Sequence, residues 1–248
     1  MTVVLVHGNP ETAAIWDPLR AELDRDDVVA LSPPGFGATV PDGFGATADD
    51  YLTWLVGALE ALDGPIDLVG HDWGAGHVQR VAASRSDLIR SWCTDIAGAA
   101  DPEYVWHDLA KVWQTPGEGE ALVEAMSSIP LEIRAARFVE AGMTPDAARA
   151  CAEAVGPEMA RCILALYRSA AQPAMTEWGR ELERAERRPG LVVIATADPY
   201  TGGEALARRS AERFGAEVAV LEGLGHWWML QDPARSAAAL RAFLDAQV

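Results

Sequence analysis

The sequence predicts an α/β protein with a mostly parallel, doubly wound sheet and one inserted helical cap. Three observations carry this. Six short runs, nearly all apolar and bounded by Gly, Pro or Asp, alternate with longer helical patterns. The alternation stops between about residues 98 and 188, where Ala, Arg and Glu dominate and no strand-like run is found. It resumes at Leu191. Strands buried on both faces read as continuous apolar runs, and strand–helix–strand repetition winds a parallel sheet.

In chain order the expected strands are Val3–Val6, Val28–Leu31, Ile66–Val69, Ile89–Thr94, Leu191–Ala195 and Val218–Leu221. The first ends at Gly8-Asn9-Pro10, the second at Pro33-Pro34-Gly35 and the third at Gly70. The fifth stops before Asp198-Pro199 and the sixth before Gly223. Helical patterns lie near Ile15–Leu23, Ala48–Leu62, Ala75–Ala83, Glu204–Phe214 and Pro233–Ala246. The core is therefore expected over residues 1–97 and 187–248, and the cap over 98–186. A second helical domain without an active-site role is the alternative for that segment.

The chain has 248 residues, half of them hydrophobic, enough to bury the core of one such domain with its insertion. A formal net charge of −17 disfavours nucleic acid and anionic membranes as partners. The apolar run at Thr2–Val6 is too short for a signal peptide and lacks a basic segment before it. No stretch is long and apolar enough to span a membrane. Cys93, Cys151 and Cys162 are few, odd in number and without metal-ligand spacing. Reduced, buried thiols in a cytoplasmic protein are expected. No metal or organic cofactor is implied. The expected partner is a small-molecule substrate, and oligomeric state stays open, a homodimer included.

The most informative segment runs from Ile66 to Gly76. A buried strand enters Gly70-His71-Asp72-Trp73-Gly74 and then a helix. This is the nucleophile-elbow pattern with aspartate in the central place. Its carboxylate sits near a helix N-terminus, where backbone N–H groups favour negative charge. Asp at such a junction also serves as a plain N-cap, which is the competing reading. An ionised carboxylate attacks a saturated carbon bearing a leaving group and gives an alkyl ester of the enzyme.

Leu221-Glu222-Gly223-Leu224-Gly225-His226 places a histidine in a Gly-rich turn after the last strand. His226 is the candidate base that activates water against that ester. Asp198 follows the fifth strand directly and is the candidate acid that orients His226. Asp95, after the fourth strand, is the runner-up, one residue out of register. The loop His7-Gly8-Asn9-Pro10 is expected to give the Asn9 backbone N–H to an oxyanion hole, with Trp73 giving the second. His71 and His77 read as structural, and His107 as a cap residue without a motif. Trp106, Trp113, Trp178, Trp227 and Trp228 suggest an apolar pocket, although Trp at helical spacing is more often core.

Together, His7-Gly8-Asn9-Pro10, Trp16, Gly35-Phe36-Gly37, Gly70–Gly74, Asp198-Pro199 and Gly225-His226-Trp227 resemble the α/β-hydrolase group of epoxide hydrolases and haloalkane or haloacetate dehalogenases. The resemblance covers the core and, more loosely, the cap. It implies that Leu166-Tyr167-Arg168 carries a tyrosine that protonates an epoxide oxygen. It also implies a second cap tyrosine. Tyr104 is the one available, while Leu109 lies nearer the matching position. For a dehalogenase it implies instead that the Trp73 indole and the Asn9 amide hold a departing halide. Ser32-Pro33-Pro34-Gly35 replaces the charged residues usual in that loop and weighs against haloacetate. The first hairpin of the fold is expected to be absent, which shrinks the sheet. Three readings follow: an epoxide hydrolase first, a dehalogenase second, and a non-hydrolytic binding relative third.

Overall fold

The structure is a computed structural model and describes residues 1–247. Its centre is a six-stranded sheet, all parallel, in the order β2-β1-β3-β4-β5-β6. The strands are β1 (Thr2–Val6), β2 (Val28–Leu31), β3 (Ile66–Gly70), β4 (Ser91–Thr94), β5 (Gly190–Ala195) and β6 (Glu217–Leu221). Side chains alternate between two cores, as a pleated strand requires. Val3, Leu5, Val69, Cys93, Leu191 and Val193 enter one. Val4, Val6, Leu68, Trp92, Val192 and Ile194 enter the other. The outer strands β2 and β6 are only partly buried, because each has a neighbour on one side.

Helices α1 (Asp17–Leu23), α2 (Ala48–Glu60) and α3 (Trp73–Ser84) connect the first strands. The predicted helix from Ile15 divides into a 3-10 turn, Ala13–Trp16, and α1, which has Pro18 in its first turn. Thr47 and Asp50 close a capping box on α2: the Thr47 hydroxyl accepts from the Asp50 N–H, and Asp50 accepts from the Thr47 N–H. The predicted strand from Ile89 begins two residues later. Arg90 donates its backbone N–H to the Ile66 carbonyl and its side chain to Asp67, and the paired register starts at Ser91.

Between β4 and β5 the chain forms six helices and no strand. They are α4 (Asp108–Gln114), α5 (Glu118–Ser128), α6 (Leu131–Glu140), α7 (Pro145–Ala154), α8 (Pro157–Ser169) and α9 (Ala174–Arg184). β5 then pairs directly with β4, so the insertion leaves the sheet continuous. A third apolar cluster joins the insertion to the rest, through Phe36, Tyr51, Trp73, Trp113, Met159 and Tyr167. After β5 come α10 (Gly203–Phe214), β6, a short α11 (Trp228–Gln231) and α12 (Pro233–Asp245). The three cysteines are free and buried. Among the described residues no helix is long and apolar enough to cross a membrane.

Candidate active site

The strand β3 ends at Gly70 and α3 begins at Trp73, leaving two residues for a sharp reversal. A Cβ on Gly70 would lie 2.4 Å from the Ala75 Cα, and one on Gly74 would lie 2.1 Å from the Val6 carbonyl oxygen. Only glycine allows the helix to start so close to the strands. Asp72 takes the strain at φ 50° and ψ −125°, outside the regions an L-residue favours. Its side chain makes no capping bond to α3, so the N-cap reading does not hold. Instead Oδ1 accepts the Asn9 backbone N–H at 3.0 Å. The Trp73 N–H, the other expected donor, makes no such bond. Burial raises the Asp72 carboxyl above its usual value, against the pull of His226 and His71.

His226 lies beside it. Nδ1–H donates to Asp198 Oδ2 at 2.9 Å, and Nε2 lies 4.0 Å from Asp72 Oδ2. Both residues are buried. Asp198 Oδ1 accepts from the Tyr200 N–H at 2.8 Å, which fixes the carboxylate's plane. Burial and the charge on His71 push His226 down, but Asp198 and Asp72 outweigh them and leave it above its ordinary value. The Asp198 carboxyl is lowered despite its burial, chiefly by the His226 bond. Two carboxylates and the imidazole between them thus converge from three separate strand ends.

Asp95, the other candidate acid, does not reach His226. Its Oδ2 accepts from His71 Nδ1 at 2.5 Å and from the Trp228 indole at 2.8 Å. Its Oδ1 accepts the backbone N–H of Asp72 at 3.1 Å. His71 donates on its other side to Glu11 Oε1 at 3.1 Å, and the Trp227 indole donates to the same oxygen at 2.6 Å. With both ring nitrogens donating, His71 is an imidazolium. Burial opposes that charge, but Glu11 and Asp95 hold it protonated well above the usual histidine range. Burial likewise opposes the charge on Glu11, which the histidines lower to about 2. Ligand atoms of Glu11, His71 and His226 lie within 4.8 Å of one another. Each His71 nitrogen faces a carboxylate, so these side chains form a hydrogen-bond network under the elbow.

Sequence reasoning missed Glu11 and Tyr200, and gave His71 too plain a role. A lone acid in a Gly-Pro loop after a buried strand was the available signal for Glu11. Tyr200, 37% exposed, packs edge-on against both His107 and His226.

Two spaces flank Asp72. A small one of about 20 Å³ is lined by Trp73, Tyr104 and Trp106 among others. A larger one of about 260 Å³ is lined by Asn9, Leu109, Trp113 and Trp227 among others. Asp72, His107, Tyr167 and Tyr200 border both. Tyr167 is buried on α8, its ring edge-on to Trp73 at 5.2 Å. Burial and the facing Asp72 raise its hydroxyl well above the usual tyrosine value, partly countered by the Trp73 indole and the Asn9 amide beside it. It therefore stays protonated. The Asn9 amide atoms are buried without a protein partner. Tyr104 lines the small space, but its hydroxyl donates to the Tyr200 carbonyl at 2.9 Å. Trp178 and Trp228 line neither space: Arg80 stacks over Trp178 at 4.4 Å, and Trp228 is core.

Residues 3–239 match the sequence pattern of the alpha/beta hydrolase family. None of the curated proteins compared with the chain matches it. Solved structures of similar fold include an E-2-(acetamidomethylene)succinate hydrolase, with TM-score 0.74 and 21% identity over 98% of this chain and 91% of that one. A haloalkane dehalogenase from Bradyrhizobium elkani has TM-score 0.73 and 19% identity, covering 100% and 91%. The Cif epoxide hydrolase from Acinetobacter nosocomialis has TM-score 0.77 and 19% identity, covering 98% and 82%. At such identities the likeness is one of fold.

Proposed function

The chain belongs to the alpha/beta hydrolase family, and we propose that within it this protein opens epoxides to vicinal diols through an ester on Asp72. The observation that carries the choice is the place of the Tyr167 hydroxyl. Tyr167 is buried edge-on to Trp73 at 5.2 Å and borders both spaces that flank Asp72. Held protonated by its burial and by the facing carboxylate, the hydroxyl has a proton for a developing alkoxide.

In this reading Asp72 Oδ2 attacks an epoxide carbon, the carbon–oxygen bond breaks, and the oxygen takes the Tyr167 proton. His226 then removes a proton from water, whose oxygen adds to the ester carbon. The resulting oxyanion on Oδ1 is held by the Asn9 N–H. Collapse releases the diol with a proton from His226. The water's oxygen stays on Asp72 as a carboxyl group, and its proton returns to Tyr167. The insertion serves as a cap over this site.

The second reading is a dehalogenase, favoured by the unpartnered Asn9 amide. Incubation with styrene oxide and with 1-bromobutane separates the two. Diol release is expected from the first and no bromide from the second; bromide alone reverses the assignment. In His226→Gln the ester should persist, and mass spectrometry should find it on Asp72. An adduct on another residue overturns the mechanism. Tyr167→Phe should cut epoxide opening by at least about a hundredfold, as expected for a lost general acid.

A further inference from the structure

The larger space beside Asp72 is apolar except at a few points, and one of these has no role in the chemistry above. Arg137, on α6, lines it together with Phe138 and Trp113. Among the described residues it is the one arginine or lysine bordering either space. No carboxylate among the described residues pairs with its exposed side chain, whereas Arg149, on the next helix, is held by Glu132 and Glu153. The Trp113 indole N–H is also buried without a protein acceptor, and its ring borders the same space. An unpaired cation and an unpaired donor therefore share the compartment that Asp72 also lines.

We propose that the substrate carries a carboxylate at the end remote from the reacting carbon, and that Arg137, aided by Trp113, binds it. This rests on the proposed reaction, since it names the class of substrate that reaction takes. A cavity of about 260 Å³ suits a small ligand. A short apolar chain fills its walls, with the electrophilic carbon at Asp72 and the anion at Arg137. The remote placement follows from charge. Asp72, Asp198 and Glu11 repel an anion near the reacting carbon, while a guanidinium matches a carboxylate with two parallel N–H donors. A single arginine balances a monoanion; a phosphate dianion would bring an uncompensated charge into a site that already holds several. The chain's net charge of −17 opposes this only at long range, where salt screens it.

The test compares 5,6-epoxyhexanoate with 1,2-epoxyhexane, which share their length and differ by the carboxylate. The wild type should prefer the acid in kcat/KM by roughly fivefold to tenfold, the range for a partly exposed ion pair with one added hydrogen bond. That preference should collapse toward one in Arg137→Gln, recover in part in Arg137→Lys, and persist in the control Arg149→Gln. Added salt should shrink it. Binding of hexanoate, which cannot react, should weaken by the same factor in Arg137→Gln. A wild type that prefers the neutral epoxide, or a preference untouched by Arg137→Gln, overturns the proposal. Should neither epoxide react while hexanoate binding still depends on Arg137, the anion site stands and the proposed reaction falls.

Discussion

Asp72 combines a strained backbone with a buried carboxylate, and both act against stability. A non-glycine residue at φ 50° and ψ −125° costs on the order of 1–3 kcal/mol. Glycine at this position removes that strain and the buried charge, but adds chain entropy to the unfolded state. Asp72→Gly should therefore raise stability by about 1 kcal/mol, or a few degrees in Tm for a chain of this size, while abolishing ester formation. Calorimetry beside a trapping assay checks both halves; an unchanged or lower Tm removes the strain argument. His226 has the opposite sensitivity. In the proposed reaction it acts as a base only when neutral, and Asp198 and Asp72 hold its pKa above the ordinary value against the effect of burial. Once Asp72 is an uncharged ester, Asp198 alone holds that value up, and ester hydrolysis should be lost as pH falls through the His226 midpoint. In Asp198→Asn the midpoint should move down along with a fall in kcat. A fixed midpoint would show that another group titrates. At this scale the sequence revealed what a local motif carries: Asp72, His226 and Asp198 each follow a strand and sit among Gly or Pro. Glu11 and His71 are 60 residues apart and meet only in the folded chain. Asp95 filled the right slot after β4, yet its direction toward His71 is set by the strand end rather than by residue type.

The strands were legible because burial on both faces leaves an unbroken apolar run, and their ends because Gly and Pro punctuate them. The errors fell where a polar residue interrupts a run. Asp67 stands inside β3 with no exposure at all, and the structure explains how. Arg90 binds it in two-pronged fashion at 2.8 and 2.5 Å, and the Ser91 hydroxyl donates to it at 2.6 Å. Arg90 keeps its backbone bond to the Ile66 carbonyl at 2.7 Å while its side chain reaches Asp67, and the regular register begins one residue later at Ser91. Removing one partner of a buried pair strands the other charge, at a cost of about 3–5 kcal/mol. Arg90→Ala should therefore lower Tm by roughly 10 °C, with Asp67→Asn/Arg90→Ala recovering much of the loss. Thermal denaturation of the wild type and these two variants checks this. If the double variant is no better than Arg90→Ala, the loss comes from packing rather than from the stranded carboxylate. The helices between β4 and β5 were visible as a class but not as six pieces, because their boundaries depend on loops and on packing against Tyr51 and Trp73.

Across the whole molecule the five histidines divide by their partners. His71 and His226 face carboxylates and are raised against the effect of burial. His7 and His77 are lowered by burial, to about 4 and about 3, and His107 is lowered in the same direction. His7 is satisfied as a neutral ring, donating from Nδ1 to the Gly8 carbonyl and accepting the Ser32 hydroxyl at Nε2. His77 stacks on Tyr51 at 5.0 Å. For these lowered groups the unfolded chain binds protons first, so stability is complete above pH 6.5 and falls as pH drops toward their folded values. For the raised pair the stabilising contribution is complete below 6.5 and is lost as pH rises through their folded values. Tm should thus peak near neutral pH and decline on both sides. Most carboxylates keep their charge down to about pH 5, so the interval from 6.5 to 5 isolates the histidines. Within it the decline should be visible, since His7 alone loses on the order of 1–2 kcal/mol there, about half of what its full protonation is worth. The slope of Tm against pH should flatten in His77→Gln, which takes one of the three lowered histidines away. An identical slope in that variant would show that burial of His77 does not couple folding to protonation.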